Sequence, residues 1–120
     1  MIAKMEISGV HTTVDEDLQK YVQKKIGRMD RYMPTHARKS AHAEVKLKEA
    51  KIKAKKECTC EVILHLPHEV IATKETTMNM YAAVDIVETK LKNQLKKYKE
   101  KHTDKRLHRR VLSKLRSRNA

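Results

Sequence analysis

Basic residues recur at helical spacing in two parts of the sequence, where they could bind the phosphates of a polyanion. In the first part, Lys25, Arg28 and Arg31 are three residues apart, and Lys24 adjoins them. The second part is a polar stripe with a spacing of three or four residues: Lys90, Asn93, Lys97 and Lys101. Residues at these intervals lie along one face of a helix. Two such stripes on helices packed side by side would flank one groove and predict a nucleic-acid interface whose affinity falls with salt.

A second group of residues has the side chains of a metal site. Cys58 and Cys60 are followed by His65 and His68, and zinc is usually held by four such ligands. The alternation of this segment places both cysteines on its apolar side and His65 on the other, so the ligands do not converge. We therefore expect the cysteines to pack in the core, and we assign no metal ligand and no cofactor.

Catalytic signatures are also lacking in the sequence. We find no glycine-rich phosphate loop, paired-carboxylate signature or nucleophile elbow. Asp85 and Glu88 lie three residues apart, and we expect them to be solvated or paired with Lys92. We do not expect an enzyme or a small-molecule substrate.

The charge balance indicates the class of partner. The 120 residues include 28 Lys and Arg against 15 Asp and Glu, a net charge of +13. This excess fits nucleic acid, an anionic membrane surface or an acidic protein. The absence of Trp and Phe argues against a sheet that stacks on RNA bases. No apolar run is long enough for a membrane span or a secretory signal, so we expect a cytoplasmic protein. We also expect it to be a monomer when it is not bound to its partner.

The elements that position these residues follow from apolar periodicity. Alternation predicts strands at residues 2–8, 39–48 and 57–66, and a fourth strand rich in Val, Ile and Thr near 69–76. A long helix is predicted from about Met78 to about His102. The connection at 49–56 is an exposed hairpin loop of undefined shape, since it has no glycine.

The first helix has a marked start and end. Thr13 and Glu16 have the spacing of a capping box, and Pro34 is expected to close the helix. Its apolar stripe has five members: Leu18, Val22, Ile26, Met29 and Met33. The order β-α-β-β-β-α predicts an α+β fold in which both helices cover one face of a four-stranded sheet.

At this point the sequence resembles the ribosome hibernation factors, the ribosome-associated inhibitor and hibernation-promoting factor proteins of bacteria and plastids. The resemblance covers about residues 1–102 and is carried by the element order, by residues 80–85 (MYAAVD) and by the basic sequence that follows. It implies that five basic residues match rRNA-contacting positions of the family: Lys25, Arg28, Arg31, Lys90 and Lys97. Asn93 stands where a basic residue is common, which puts one contact in doubt.

The resemblance also implies a function. Such a protein binds 16S rRNA of the small ribosomal subunit at the decoding region, blocks tRNA and mRNA binding, and acts during stress or stationary phase. Long family members carry a second domain that pairs ribosomes, for which this chain has no room. The acidic tail of some short members is replaced here by a basic segment.

We therefore divide the chain into a ribosome-binding α+β domain at 1–102 and a basic tail at 103–120. The tail holds seven basic residues against one acidic residue. Its apolar residues Leu107, Val111, Leu112 and Leu115 have helical spacing, and the segment is either a disordered extension or an arm that orders on rRNA.

The sequence is also compatible with two other functions. A general double-stranded-RNA module also has three strands followed by a helix, although that fold begins with a helix and this chain begins with a strand. An adaptor that acts on a protein or a membrane surface through the tail is the third alternative.

Overall fold

The computed structural model describes residues 1–103 and has the predicted order, with two short helices added after the first long one. The strands are β1 (Lys4–Val10), β2 (His42–Ile52), β3 (Lys55–Leu66) and β4 (Glu69–Thr77). The helices are α1 (Glu16–Gly27), a 3₁₀ helix (Arg28–Tyr32), α2 (Thr35–Arg38) and α3 (Met80–Thr103).

The four strands form one mixed sheet in the order β1-β2-β3-β4. β1 runs parallel to β2, while β2, β3 and β4 pair antiparallel in sequence. A parallel pair needs a long crossover, and α1 with its two short successors supplies it. The prediction of an α+β fold with a four-stranded sheet is confirmed.

The core lies between one face of the sheet and the long helices. β3 shows the alternation most clearly, since every second residue from Cys58 to Leu66 is buried. The predicted core role of Cys58 and Cys60 is thus confirmed, and burial raises the pKa of the Cys60 thiol to about 12. The edge strand β1 is less covered: Met5 and Ile7 are half-buried, and Ala3, which precedes the strand, is exposed.

The first helix differs from its prediction at both ends. Asp15, not Thr13, is the N-cap, and its carboxylate accepts a hydrogen bond from the Leu18 amide at 2.7 Å. The α-helix ends at Gly27, and the chain continues as a 3₁₀ helix in which Met29 is still buried. Pro34 begins the short helix α2 and does not close α1.

The β2–β3 hairpin is tighter than expected. The strands extend to Ile52 and Lys55, so only Lys53 and Ala54 form the turn. Both have positive φ, 51° and 65°, as a two-residue type I′ turn requires. The usual Asn-Gly signature is absent, which is why the sequence left this connection undefined.

Candidate nucleic-acid interface

Four basic residues follow one another from the end of α1 into the 3₁₀ helix, and we call them the α1 basic segment: Lys24, Lys25, Arg28 and Arg31. A 3₁₀ helix has three residues per turn, so Arg28 and Arg31 project from the same side. Arg28 Nε donates a hydrogen bond to the Lys24 carbonyl oxygen at 3.0 Å. The guanidinium therefore lies at the C-terminus of α1, where a cation also interacts favourably with the helix dipole.

Lys25 points across to α3. Its Nζ lies 3.7 Å from Asp85 Oδ1 and 3.9 Å from Glu88 Oε1, and only 25% of its side chain is exposed. The two carboxylates therefore pair with Lys25, whereas the sequence suggested Lys92. Because two acids face this one cation, Lys25 adds little net positive charge to the surface.

Tyrosines complete this contact between the helices. The Tyr21 hydroxyl donates a hydrogen bond to Asp85, and its ring meets that of Tyr81 edge to face with centroids 4.8 Å apart. Lys25 Nζ lies 5.5 Å from the centre of the Tyr21 ring. The hydrogen bond to Asp85, with burial and the nearby carboxylates, raises the pKa of Tyr21 to about 12.

An open cleft of about 230 Å³ lies between the 3₁₀ helix and α3, and we call it the interhelical cleft. Its lining includes three cations, Arg28, Arg31 and Lys92. Lys92 Nζ lies 5.3 Å from the centre of the Tyr32 ring, a cation–π distance. In the sequence, the spacing of Lys92 from Glu88 suggested a pair within the helix and gave no sign of this contact.

The second basic stripe faces the opposite way. Lys90 donates a hydrogen bond to Glu75 of β4 and lowers the pKa of that carboxyl group. Lys97 and Lys101 line a cleft of about 440 Å³ beside β4. Asn93 is exposed near them on α3. We call these four residues the β4-side stripe.

The two predicted stripes do not share a groove within residues 1–103. The reason is the buried stripe of α3, which includes Leu91, Leu95 and Tyr98. At 3.6 residues per turn, Lys90 and Lys97 project on one side of it and Lys92 projects on the other. The structure thus pairs the α1 basic segment with Lys92 and leaves the β4-side stripe across the helix.

Neither a metal site at the cysteines nor a membrane span is found in the described part of the chain. Cys58 and Cys60 are buried, whereas His65 projects from the other face of β3, so these ligands do not converge. None of the helices between residues 1 and 103 is long and apolar enough to cross a membrane.

The fold and this charge distribution define a class: a small α+β domain whose helical side presents two separate rows of cations. Residues 5–103 match the family described as "Sigma 54 modulation protein / S30EA ribosomal protein". The chain belongs to this family, and the resemblance noted from residues 80–85 is confirmed.

Relatives with curated names support the same assignment. A "Ribosome hibernation promotion factor" from Lactococcus lactis subsp. cremoris is 30% identical over 80% of this chain and 49% of its own. One from Picosynechococcus sp. is 34% identical over 88% of this chain and 53% of its own. The chain spans about half the length of the curated relatives it matches.

Solved structures share the fold. The N-terminal domain of Protein Y from Thermus thermophilus has a TM-score of 0.59 and 25% identity, over 81% of this chain and 97% of the other. A ribosomal subunit interface protein from Coxiella burnetii has a TM-score of 0.65 and 22% identity, over 81% and 98%.

Proposed function

We propose that this protein is a translation inhibitor that binds the small ribosomal subunit through its helical side. It contacts 16S rRNA at the decoding region and by occupancy blocks tRNA and mRNA, during stress or stationary phase. The observation that carries the proposal is family membership over residues 5–103 together with relatives named as ribosome hibernation promotion factors.

The exposed cations supply the affinity. Within residues 1–103, the side chains of Arg31, Lys97 and Lys101 make no ion pair, whereas Lys25 and Lys90 are already paired with carboxylates. Unpaired cations gain most from a phosphate, because no internal partner has to be displaced. We therefore assign the larger share of binding to the interhelical cleft, with Lys24 at its end, and to Lys97 and Lys101.

Such contacts position a protein without reading sequence. RNA specificity then comes from the fit to a folded surface. The sheet face away from the helices carries no Tyr, since Tyr21, Tyr32 and Tyr81 contact residues of the helices and Tyr98 lies in the core. This distribution supports RNA binding by the helical side and disfavours a stacking sheet.

A protein that inhibits by occupying its site needs no catalytic chemistry. This protein acts in the cytoplasm, where ribosomes are found. Residues 1–102 form the ribosome-binding domain, and the basic tail adds affinity; its residues 104–120 lie outside the described part of the structure.

Co-sedimentation of the full chain with purified small subunits tests the assigned surface. Reversing Arg28, Arg31, Lys97 and Lys101 to Glu is expected to abolish binding. The matched control reverses four lysines on or near the sheet face away from the helices, and its net charge equals that of the first variant. These lysines are Lys46, Lys48, Lys51 and Lys74. We expect the control to retain most binding.

Equal loss in the two variants would mean that net charge alone drives association. Retained binding by the helical-side variant would remove the assigned surface. Competition by free duplex RNA as efficient as that by subunits would favour the general double-stranded-RNA module. The present sheet has a fourth strand, β1, which pairs parallel with β2, and this argues against that module.

A further inference from the structure

The face of the sheet away from the helices, here called the open face, gathers four metal-binding side chains from three strands. Glu6 lies on β1, His42 and Glu44 lie on β2, and His65 lies on β3. Glu6 pairs in register with Glu44, and His42 pairs with His65. Because His42 and Glu44 are two residues apart, they project from the same side of β2. The four side chains therefore form a compact array.

The donor atoms of this array are close together. One ligand atom each from Glu6, His42 and Glu44 lie within 4.8 Å of one another. His65 Nε2 lies 3.4 Å from Glu44 Oε2, and the centroids of the His42 and His65 rings are 5.2 Å apart. Two atoms bound to one zinc ion at about 2.0–2.2 Å are at most about 4.4 Å apart. The donors of Glu6, His42 and Glu44 are close to this limit, and His65 adjoins them through its contact with Glu44.

We infer that Glu6, His42, Glu44 and His65 bind a divalent transition-metal ion of the zinc type on the open face. Two imidazoles select such an ion over Mg²⁺ or Ca²⁺, which prefer oxygen ligands. Two carboxylates balance its charge. Four ligands of these types suit the tetrahedral coordination of zinc.

The carboxylate pair is the second observation in favour of a bound cation. Glu6 and Glu44 face each other across β1 and β2 with ligand oxygens within 4.8 Å, and like charges at this distance repel. Within residues 1–103 Glu6 makes no ion pair, and Glu44 pairs with His65. A divalent ion between the two carboxylates converts this repulsion into attraction.

The site is independent of the proposed ribosome contacts. The open face lies across the sheet from α1 and α3, so a bound ion leaves the α1 basic segment and the β4-side stripe accessible. The ligands also join the edge strand β1 to the central strands. An ion that binds only the folded state would raise the melting temperature through mass action.

The test is calorimetric titration of the full chain with zinc, with cobalt as a spectroscopic probe of tetrahedral geometry. We expect one tight equivalent and a rise in melting temperature. Replacing both histidine ligands, in a His42→Ala, His65→Ala variant, should weaken zinc binding by at least about 10-fold. Glu6→Gln is the second variant; it keeps the side-chain size, and we expect it to weaken binding while the fold is retained.

The matched control is a His11→Asn, His36→Ala variant, which also retains five of the seven histidines. Asn suits position 11 because His11 has a φ of 56° and Asn tolerates positive φ. The control should bind zinc like the wild type. Equal binding by the His42, His65 variant, or only weak binding shared among many histidines, would overturn the site and leave His65–Glu44 as a simple ion pair.

Discussion

Individual cations on this protein differ in how much charge they can offer a partner. Lys25 is held between Asp85 and Glu88, whereas Arg31 is exposed on the 3₁₀ helix and makes no ion pair within residues 1–103. The sequence places Lys25 and Arg31 in one stripe, and spacing alone does not distinguish them. The difference arises from α3, more than 50 residues further along the chain, which brings the two carboxylates to Lys25.

Neutralising Glu88 should therefore strengthen RNA binding. Glu88→Gln removes a negative charge from the lining of the interhelical cleft and leaves Lys25 with one carboxylate. Exposed ion pairs are worth at most about 1 kcal/mol, so we expect an increase in small-subunit affinity of up to about fivefold at low salt. Glu61→Gln on the open face is the control for net charge. Weaker binding by Glu88→Gln would contradict the role given to the cleft.

Tyr21 should titrate at unusually high pH. Its pKa is raised from 10.0 to about 12, chiefly by the hydrogen bond to Asp85. The unfolded chain releases this proton near pH 10, so the contribution of neutral Tyr21 to stability is present below that pH and is lost as the pH rises to about 12. Alkaline titration of phenolate absorbance, compared with Tyr21→Phe, isolates this group. Asp85→Asn should lower the pKa of Tyr21 but not that of Tyr98, which is raised chiefly by burial.

Among the elements, the strands were the most predictable and the ends of elements the least. Alternation located β2 and β3 because each buries one side, and the Val, Ile and Thr content located β4. The apolar stripe from Leu18 to Met33 predicted one helix, but Met29 and Met33 are buried by a 3₁₀ helix and the turn after it. A spacing of three or four residues does not separate these two kinds of helix. The two-residue turn at Lys53 and Ala54 could not be predicted, because neither Lys nor Ala is a residue type that indicates positive φ.

The start of α1 gives a direct stability test. Asp15→Ala removes the side-chain oxygen that accepts from the Leu18 amide and should destabilise the fold by about 1 kcal/mol. Thr13→Ala is the matched control, since the sequence favoured Thr13 as the cap and the structure assigns this role to Asp15. Urea unfolding should show a lower midpoint for Asp15→Ala only. A larger loss for Thr13→Ala would restore the capping box.

For the whole molecule, composition predicted the class of partner, and packing determined where the charge lies. The +13 balance does not show that α3 separates the β4-side stripe from the interhelical cleft. That separation depends on which face of α3 packs on the sheet. The array of Glu6, His42, Glu44 and His65 could not be predicted from the sequence either. These residues are far apart in the chain, and only the strand register brings them together.

The basic tail should contribute affinity that depends strongly on salt. Residues 103–120 hold seven basic residues and one acidic residue. Each phosphate that the protein no longer neutralises makes the slope of log affinity against log salt shallower by about 0.7–0.9. A chain truncated after His102 should therefore bind small subunits more weakly, with a shallower slope. Identical binding of both chains across a salt series would assign the tail no part in the interaction.

Chemical footprinting of 16S rRNA in purified small subunits tests whether the helical side occupies the decoding region. With the full chain bound, we predict protection of decoding-region nucleotides and release of prebound mRNA and tRNA. The variant with Arg28, Arg31, Lys97 and Lys101 reversed to Glu should give neither effect. Protection confined to another part of the subunit, with mRNA and tRNA still bound, would show that the protein does not occupy the decoding region.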